Sequence, residues 1–201
     1  MTRLVSTLFI TLDGVAEIDP DWHFPYFDDA MGSAVADDYA GTDVLLLGRV
    51  TYDSFAGAWP QRETAGGDDA DFARQLGDTP KVVLTRRALR PTPEDPAGHG
   101  LGWRNVEAAP DLLGAVAELR RRPGVDKVLV AGSVSVVRQL LDAGELDELR
   151  LLVHPIVARH GTRLFESGPQ NQTLTLLSSE ALPTGVLRLR YAPERVAAQT
   201  P

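Results

Sequence analysis

The chain has 201 residues, 43% of them apolar, 24% charged and 6% aromatic, with a formal net charge of -8. That composition belongs to a globular chain long enough to bury a substantial core, and it excludes a disordered or fibrous protein. The acidic balance argues against a nucleic-acid surface, because phosphate contacts need clustered Lys and Arg in excess. The absence of Cys excludes disulfides, thiolate nucleophiles and Cys-based zinc sites.

The first apolar stretch, "RLVSTLFITL" at 3–12, is rich in β-branched residues and stops at the turn pair Asp13-Gly14, so it reads as a strand. It is far shorter than the roughly 20 residues that span a bilayer, and no small-residue cleavage site follows it. A cytoplasmic protein without membrane contact is expected. A proline-containing loop, "IDPDWHFPYFDD", leads to a helix in which Met31, Val35 and Tyr39 recur at helical spacing before Gly41. "DVLLLG" at 43–48 is a continuous apolar run suited to a strand covered on both faces, and "RVTYDSFAGAW" predicts a short helix ending near Gly57.

A polar loop at 60–69 precedes a helix over "ADFARQL" and a strand at "KVVLT". The turn-rich stretch 91–102 reads as surface loop, since the alternation of strand and helix resumes beyond it. "DLLGAVAELRRR" predicts a helix with its basic end at the negative pole, "DKVLVAG" a strand, and "SVVRQLLDAG" a helix stopped by Gly144. The last third changes character: "ELRLLVHPIV", "QTLTLLSSE" and "GVLRLRYA" are strands without intervening helices, and the Leu187, Leu189, Tyr191 set suggests antiparallel pairing. The expected fold is an α/β domain over 1–192, three-layered, with a mixed and mostly parallel sheet and antiparallel C-terminal strands, followed by a flexible tail at 193–201.

Ligands of such sheets bind outside the carboxyl ends of the strands. Three strand ends carry suitable residues: Gly48, Arg49 and Thr51; Thr85, Arg86 and Arg87; and "VAGSVS" at 130–135, which opens a helix. Glycine and small hydroxyl residues at a helix N-terminus leave backbone N–H groups for a pyrophosphate, and Arg paired with Thr suits a phosphate monoester. Singly, each is as well explained by a Ser N-cap or a solvated arginine; together they point to a phosphorylated dinucleotide.

The segments "STLFITLDGVAE", "DVLLLGRVTYDSFAGAWP", "KVVLTRR" and "KVLVAGSVSVVRQLLDAGELDELRLLVHPIVARHGTRLF" resemble, in this order and spacing, the dihydrofolate reductase-like superfamily. The resemblance is greatest to the reductase domain of bifunctional riboflavin-biosynthesis deaminase/reductases and its stand-alone relatives. It implies NADPH as cofactor, with Gly48, Arg49 and Thr51 beside the adenosine 2′-phosphate, Thr85 and Arg86 flanking it, and Ala131, Gly132, Ser133 and Val134 at the pyrophosphate. A side chain at 132 is expected to fill space the pyrophosphate needs. Relatives often carry Gly-Gly where this chain has Ala131-Gly132, and folate reductases have a cis peptide there, which makes the peptide geometry of Ala131-Gly132 a question for the structure.

On the substrate side the resemblance offers Asp13, by the loop over the nicotinamide, and Asp28 or Asp29, in the region where folate reductases carry their pterin-binding acid. Trp22 and Trp59 are candidate walls for a planar ring, and Asp28 is equally well explained as a helix N-terminal carboxylate. His154 and His160 flank "PIVAR" without an acidic ligand set and read as structural, so no metal is expected. His23 is a minor candidate for proton supply. The sequence designates no catalytic residue. The expected activity is NADPH-dependent hydride transfer to a small heterocyclic, imine or carbonyl substrate, with 5-amino-6-(5-phosphoribosylamino)uracil reduction as the reference; the alternatives are folate reduction and a catalytically inactive nucleotide-binding or dimeric module. The late strands are expected to pair two subunits as a homodimer.

Overall fold

The computed structural model describes residues 1–86, 103–165 and 171–194. In chain order these form β1 (Arg3–Thr11), α1 (Pro20–His23), a 3-10 turn (Phe24–Tyr26), α2 (Asp29–Tyr39), β2 (Val44–Gly48), α3 (Arg49–Ala65), α4 (Ala70–Asp78) and β3 (Lys81–Leu84). They continue with β4 (Val106–Ala109), α5 (Leu112–Leu119), β5 (Lys127–Val130), α6 (Val134–Asp142), β6 (Glu148–His154), β7 (Leu174–Ala181) and β8 (Leu187–Pro193). The chain divides into two compact units, one of residues 1–2 and 41–133, the other of 3–40 and 134–201. The expected turn-rich loop at 91–102, Arg87 and most of the expected tail lie outside the described residues.

In the first unit the strands run β4-β3-β2-β5, all parallel. All five residues of β2 are buried, as a continuous apolar run between two neighbours requires. Asp43 ties the starts of β2 and β5 together by accepting from the backbone N–H of Asp126 (2.8 Å) and Lys127 (2.9 Å). Strand β4 was not legible in the sequence because "VEAA" is short and half exposed, the signature of an edge rather than a core.

Helix α3 does not stop near Gly57 but runs through Pro60 and absorbs much of the expected polar loop. Side chains beyond the proline supply the reason. Trp59 packs edge-on against Phe72 at 5.3 Å, Arg62 lies 4.8 Å over the Trp59 ring, and Glu63 receives both terminal nitrogens of Arg104, at 2.8 and 2.9 Å.

In the second unit β1 and β6 are parallel, and β6-β8-β7 are antiparallel, which matches the expected change of character in the last third. The apolar core here is Met31 and Ala34 of α2 with Leu152, Leu182 and Val186. Further along the same sheet, Arg188 and Arg190, the alternates of the Leu187, Leu189, Tyr191 set, meet two buried carboxylates. Asp38 accepts from Thr7 Oγ1 (2.7 Å), Arg150 (3.1 Å) and Arg188 (2.8 Å). Glu148 accepts from Arg150 (2.7 Å), Arg190 (2.6 Å) and Arg3 (2.5 Å). Burial alone would raise the Glu148 carboxyl; the hydrogen bonds from Arg190 and Arg150 outweigh it and hold the group down at about 2. No helix among the described residues is long and apolar enough to cross a membrane.

Removing one member of such a network strands the rest. Asp38→Ala leaves Arg150 and Arg188 without their shared acceptor and is expected to cost about 3 kcal/mol, the scale for breaking a buried ion pair. Urea unfolding measures this; an unchanged midpoint would show the network to be energetically idle.

Candidate active site

The three expected strand ends of the first unit belong to β2, β3 and β5. At the end of β2, Gly48 is the N-cap of α3 and supplies no side-chain cap, so the first-turn N–H groups of that helix, and its positive pole, are not covered by a capping residue. Arg49 is the first residue of α3. Its Nε donates to Asp53 Oδ1 at 2.6 Å, an i,i+4 pair in which both side chains are partly exposed. The terminal guanidinium nitrogens lie outside that bond.

Gly48 also touches the turn after β5. Its N–H donates to the Gly132 carbonyl at 3.0 Å, and a Cβ at 48 would run into the hydroxyl and the amide of Ser133. Gly132 has φ +126°, a region open to glycine and strained for other residues, and a Cβ there would lie 2.8 Å from Thr51 Oγ1. The structure therefore joins Gly48, Arg49, Thr51, Gly132 and Ser133 in one cluster. The expectation for position 132 is corrected on one point: an added side chain would meet the protein's own Thr51, whatever a ligand requires. The cis peptide also differs from the position in question, lying at Gly132-Ser133 and not at Ala131-Gly132.

At the end of β3, the Thr85 N–H donates to the Ala109 carbonyl at 2.9 Å, and Arg86 is exposed. Ala131 is half-buried before the turn, and Val134 opens α6 in the second unit.

Of the substrate-side candidates, Asp13, Trp22, Asp28 and Asp29 fall in the second unit and Trp59 in the first. Asp13 accepts from Thr11 Oγ1 (2.7 Å), Ala158 N (3.0 Å), Arg159 N (2.8 Å) and Arg163 (3.2 Å), which clamps the segment after β6 onto the end of β1. The Thr11 hydroxyl and these backbone donors hold its carboxyl far below the usual carboxylate range. Asp28 caps α2 by accepting from Met31 N at 2.8 Å, the helix N-terminal alternative; Asp29 is the first residue of that helix and is exposed. Trp22 is buried and lies 4.9 Å from the ring of His154. Trp59 belongs to the first unit and packs between Phe55 and Phe72.

Three features were not foreseen. Asp53 restrains Arg49, a pairing that the i,i+4 spacing could have revealed. The Ser133 hydroxyl faces Gly48. His23 and His154 form a buried hydrogen-bonded pair, and no spacing rule connects residues so distant in sequence.

The chain matches the RibD C-terminal domain over residues 2–188 and belongs to that family, which is a family of reductases. It is 26% identical to the uncharacterized protein YyaP of Bacillus subtilis (strain 168) over 203 residues, 94% of either chain. Among solved structures, a putative riboflavin biosynthesis protein from Shewanella sp. PV-4 aligns with a TM-score of 0.71 at 18% identity, over 96% of this chain and 100% of that one. A pyrimidine reductase-like protein from Corynebacterium diphtheriae aligns with a TM-score of 0.66 at 19% identity, over 97% of this chain and 93% of the other. The deaminase/reductase of Thermotoga maritima gives 0.66 at 13% identity, with 57% of its chain covered. These likenesses bear out the expected α/β class, mostly parallel with antiparallel C-terminal strands.

Gly48→Ala tests the cluster without touching a charged group. Forcing a methyl against Ser133 is expected to cost about 1–3 kcal/mol, the range for overpacking a filled site, read from the denaturation midpoint. Unaltered stability would mean that the two strand ends are not in this contact.

Proposed function

We propose that this protein is an NADPH-dependent reductase acting on a small heterocyclic, imine or carbonyl substrate, with 5-amino-6-(5-phosphoribosylamino)uracil as the reference. The observation that carries the reading is the cluster at the ends of β2 and β5. There the helix N-terminus without a side-chain cap and an arginine at its first position offer the donors that an anionic dinucleotide needs, beside a glycine turn that brings the two strand ends together. Membership of a reductase family supports it independently.

In this reading Gly48, Arg49 and Thr51, with Thr85 and Arg86, hold the 2′-phosphate. Ala131, Gly132, Ser133 and Val134 receive the pyrophosphate. NADPH, when bound, supplies the hydride. The chain's own contribution is to bind and orient: Arg49 neutralises phosphate charge through the guanidinium nitrogens that Asp53 leaves over, and Gly48 and Gly132 keep side chains out of the turn. On the substrate side Asp13 acts through the segment it clamps, Asp28 through the start of α2, and Trp22 as a buried support, each positioning backbone rather than offering an open polar group.

Arg49→Ala is expected to weaken NADPH binding by about 1.5 kcal/mol, the lower range for a charged hydrogen bond because Asp53 already takes part of the charge, and to leave NADH nearly unchanged. Titration of both cofactors measures this, and equal losses would remove Arg49 from the phosphate. Substrate-dependent loss of reduced-nicotinamide absorbance, screened over heterocyclic and carbonyl acceptors, tests the activity itself.

We also propose a homodimer formed through the late strands. Among the described residues strand β7 pairs with β8 alone and exposes Leu176 and Leu177 at 52% and 50%, an edge of the kind that pairs with another copy. Light scattering at micromolar concentration decides this: twice the mass of a single chain is expected, and a single-chain mass overturns it.

A further inference from the structure

His23 and His154 are buried at 5% and 0% exposure, and their rings share a hydrogen bond of 3.3 Å between Nδ1 of His23 and Nε2 of His154. His154 Nδ1 lies 3.0 Å from the Leu152 carbonyl oxygen. A carbonyl only accepts, so Nδ1 of His154 carries its proton, Nε2 offers a lone pair, and His23 Nδ1–H is the donor between the rings.

The surroundings are aromatic. Phe9, Phe24 and Phe27 lie 4.3, 5.3 and 5.5 Å from the His23 ring, and Trp22 and Tyr26 lie 4.9 and 5.7 Å from His154. Of the titratable groups on the elements packed here, the Tyr26 phenol belongs to the ring cluster. Asp19 accepts from Asp21 N, Asp28 from Met31 N, and Asp21 and Asp29 are exposed; none of these carboxylates bonds either imidazole. A second proton therefore has two destinations. On His154 Nε2 it sets two N–H groups head to head; on His23 Nε2 it creates a cation that no carboxylate among the described residues bonds. Both costs vanish if His23 swings out.

His23 ends a helix of only four residues, capped by Asp19 at one end and Phe24 at the other, so the segment it would carry with it is short. Beyond the buried Trp22, the turn that follows rests on the partly buried Tyr26, which packs against the Met31 and Leu152 core and whose carbonyl accepts a long bond from Thr184 Oγ1 at 3.4 Å, while Phe24 and Phe27 are already 59% and 45% exposed.

We propose that the pair is a one-proton latch: it keeps residues 19–27 folded onto the second unit while a single bridging proton joins the rings, and it frees that segment when a second proton arrives. Burial, and then the charge of His154, lowers His23 from 6.5 to about 4; burial also lowers His154, against the Leu152 and Ile10 backbones. The released ring accepts its proton at the ordinary value, so acidification from 6.5 towards 4 favours release, and return to neutrality restores the latch.

Amide hydrogen exchange on the chain without cofactor or substrate tests this apart from the reductase reading, which stands or falls on turnover. Corrected for intrinsic rates, exchange in residues 19–27 is expected to accelerate about tenfold or more relative to β1 and β6 between neutrality and about pH 4. The double variant His23→Phe, His154→Leu is expected to show no such acceleration. Protection that persists to pH 4, is lost everywhere at once, or is lost equally in the double variant overturns the latch. If that variant does not fold, imidazole NMR of the native chain decides: coupled titration of both rings well below 6.5 supports the latch, and independent titration near 6.5 overturns it.

Discussion

The first unit depends on one close approach, the meeting of the β2 and β5 strand ends with no side chain between them. Gly48 N–H donates to the Gly132 carbonyl at 3.0 Å, and each glycine leaves room that a hydroxyl of the other segment uses: Ser133 against 48, Thr51 against 132. That reciprocal fit sets where α3 begins relative to the turn. It also explains why the helix N-cap is a glycine rather than Ser or Asp, which would be the better cap by propensity. The capping energy is given up, and the helix pole is left uncovered as a consequence.

The second unit solves a different problem on a single sheet face. One end of the face is apolar, around Met31 and Leu152, and the other is ionic, around Asp38 and Glu148. Buried ion pairs contribute little net stability against apolar substitutes, because desolvation offsets the attraction. They do constrain register. A one-residue slip of β8 against β6 would turn Arg188 and Arg190 to the opposite face and bring Leu187 and Leu189 onto the carboxylates, so the charges reject the pairing that hydrophobicity alone would tolerate.

Legibility in the sequence followed the same division. The alternation of apolar runs and amphipathic stretches located β1, β2, β3, β5 and the change to antiparallel strands, since burial on two faces writes a continuous apolar run and burial on one writes an alternation. It failed where tertiary contacts override local preference. The helix expected to end near Gly57 continues through Pro60 on Trp59 and Glu63 contacts with distant residues. Lys81 opens the expected strand "KVVLT" with a buried Nζ that donates to the carbonyls of Gly77, Thr79 and Arg104, with the Trp103 ring 4.3 Å away, contacts that no local pattern announces. At the candidate site, the glycines and Arg49 were visible as a pattern of strand ends. Their mutual fit was not, because a clash between Gly48 and Ser133 exists only after both strands are placed.

Polar residues at strand ends are ambiguous in sequence because holding a loop and holding a ligand call for the same groups. What separates the two tasks is how many donors and acceptors remain. Asp13 has its two oxygens taken by four donors, so an incoming ligand would have to displace part of the clamp on residues 158–163 and expose backbone amides that it now satisfies. Arg49 has committed one nitrogen to an acceptor that is itself partly exposed, so the remaining guanidinium can meet an anion while Asp53 keeps it oriented. By that criterion the two residues, equally plausible as ligand groups before folding, part company: Asp13 shapes the second unit from within, and Arg49 is the one whose chemistry is still available at the surface of the first.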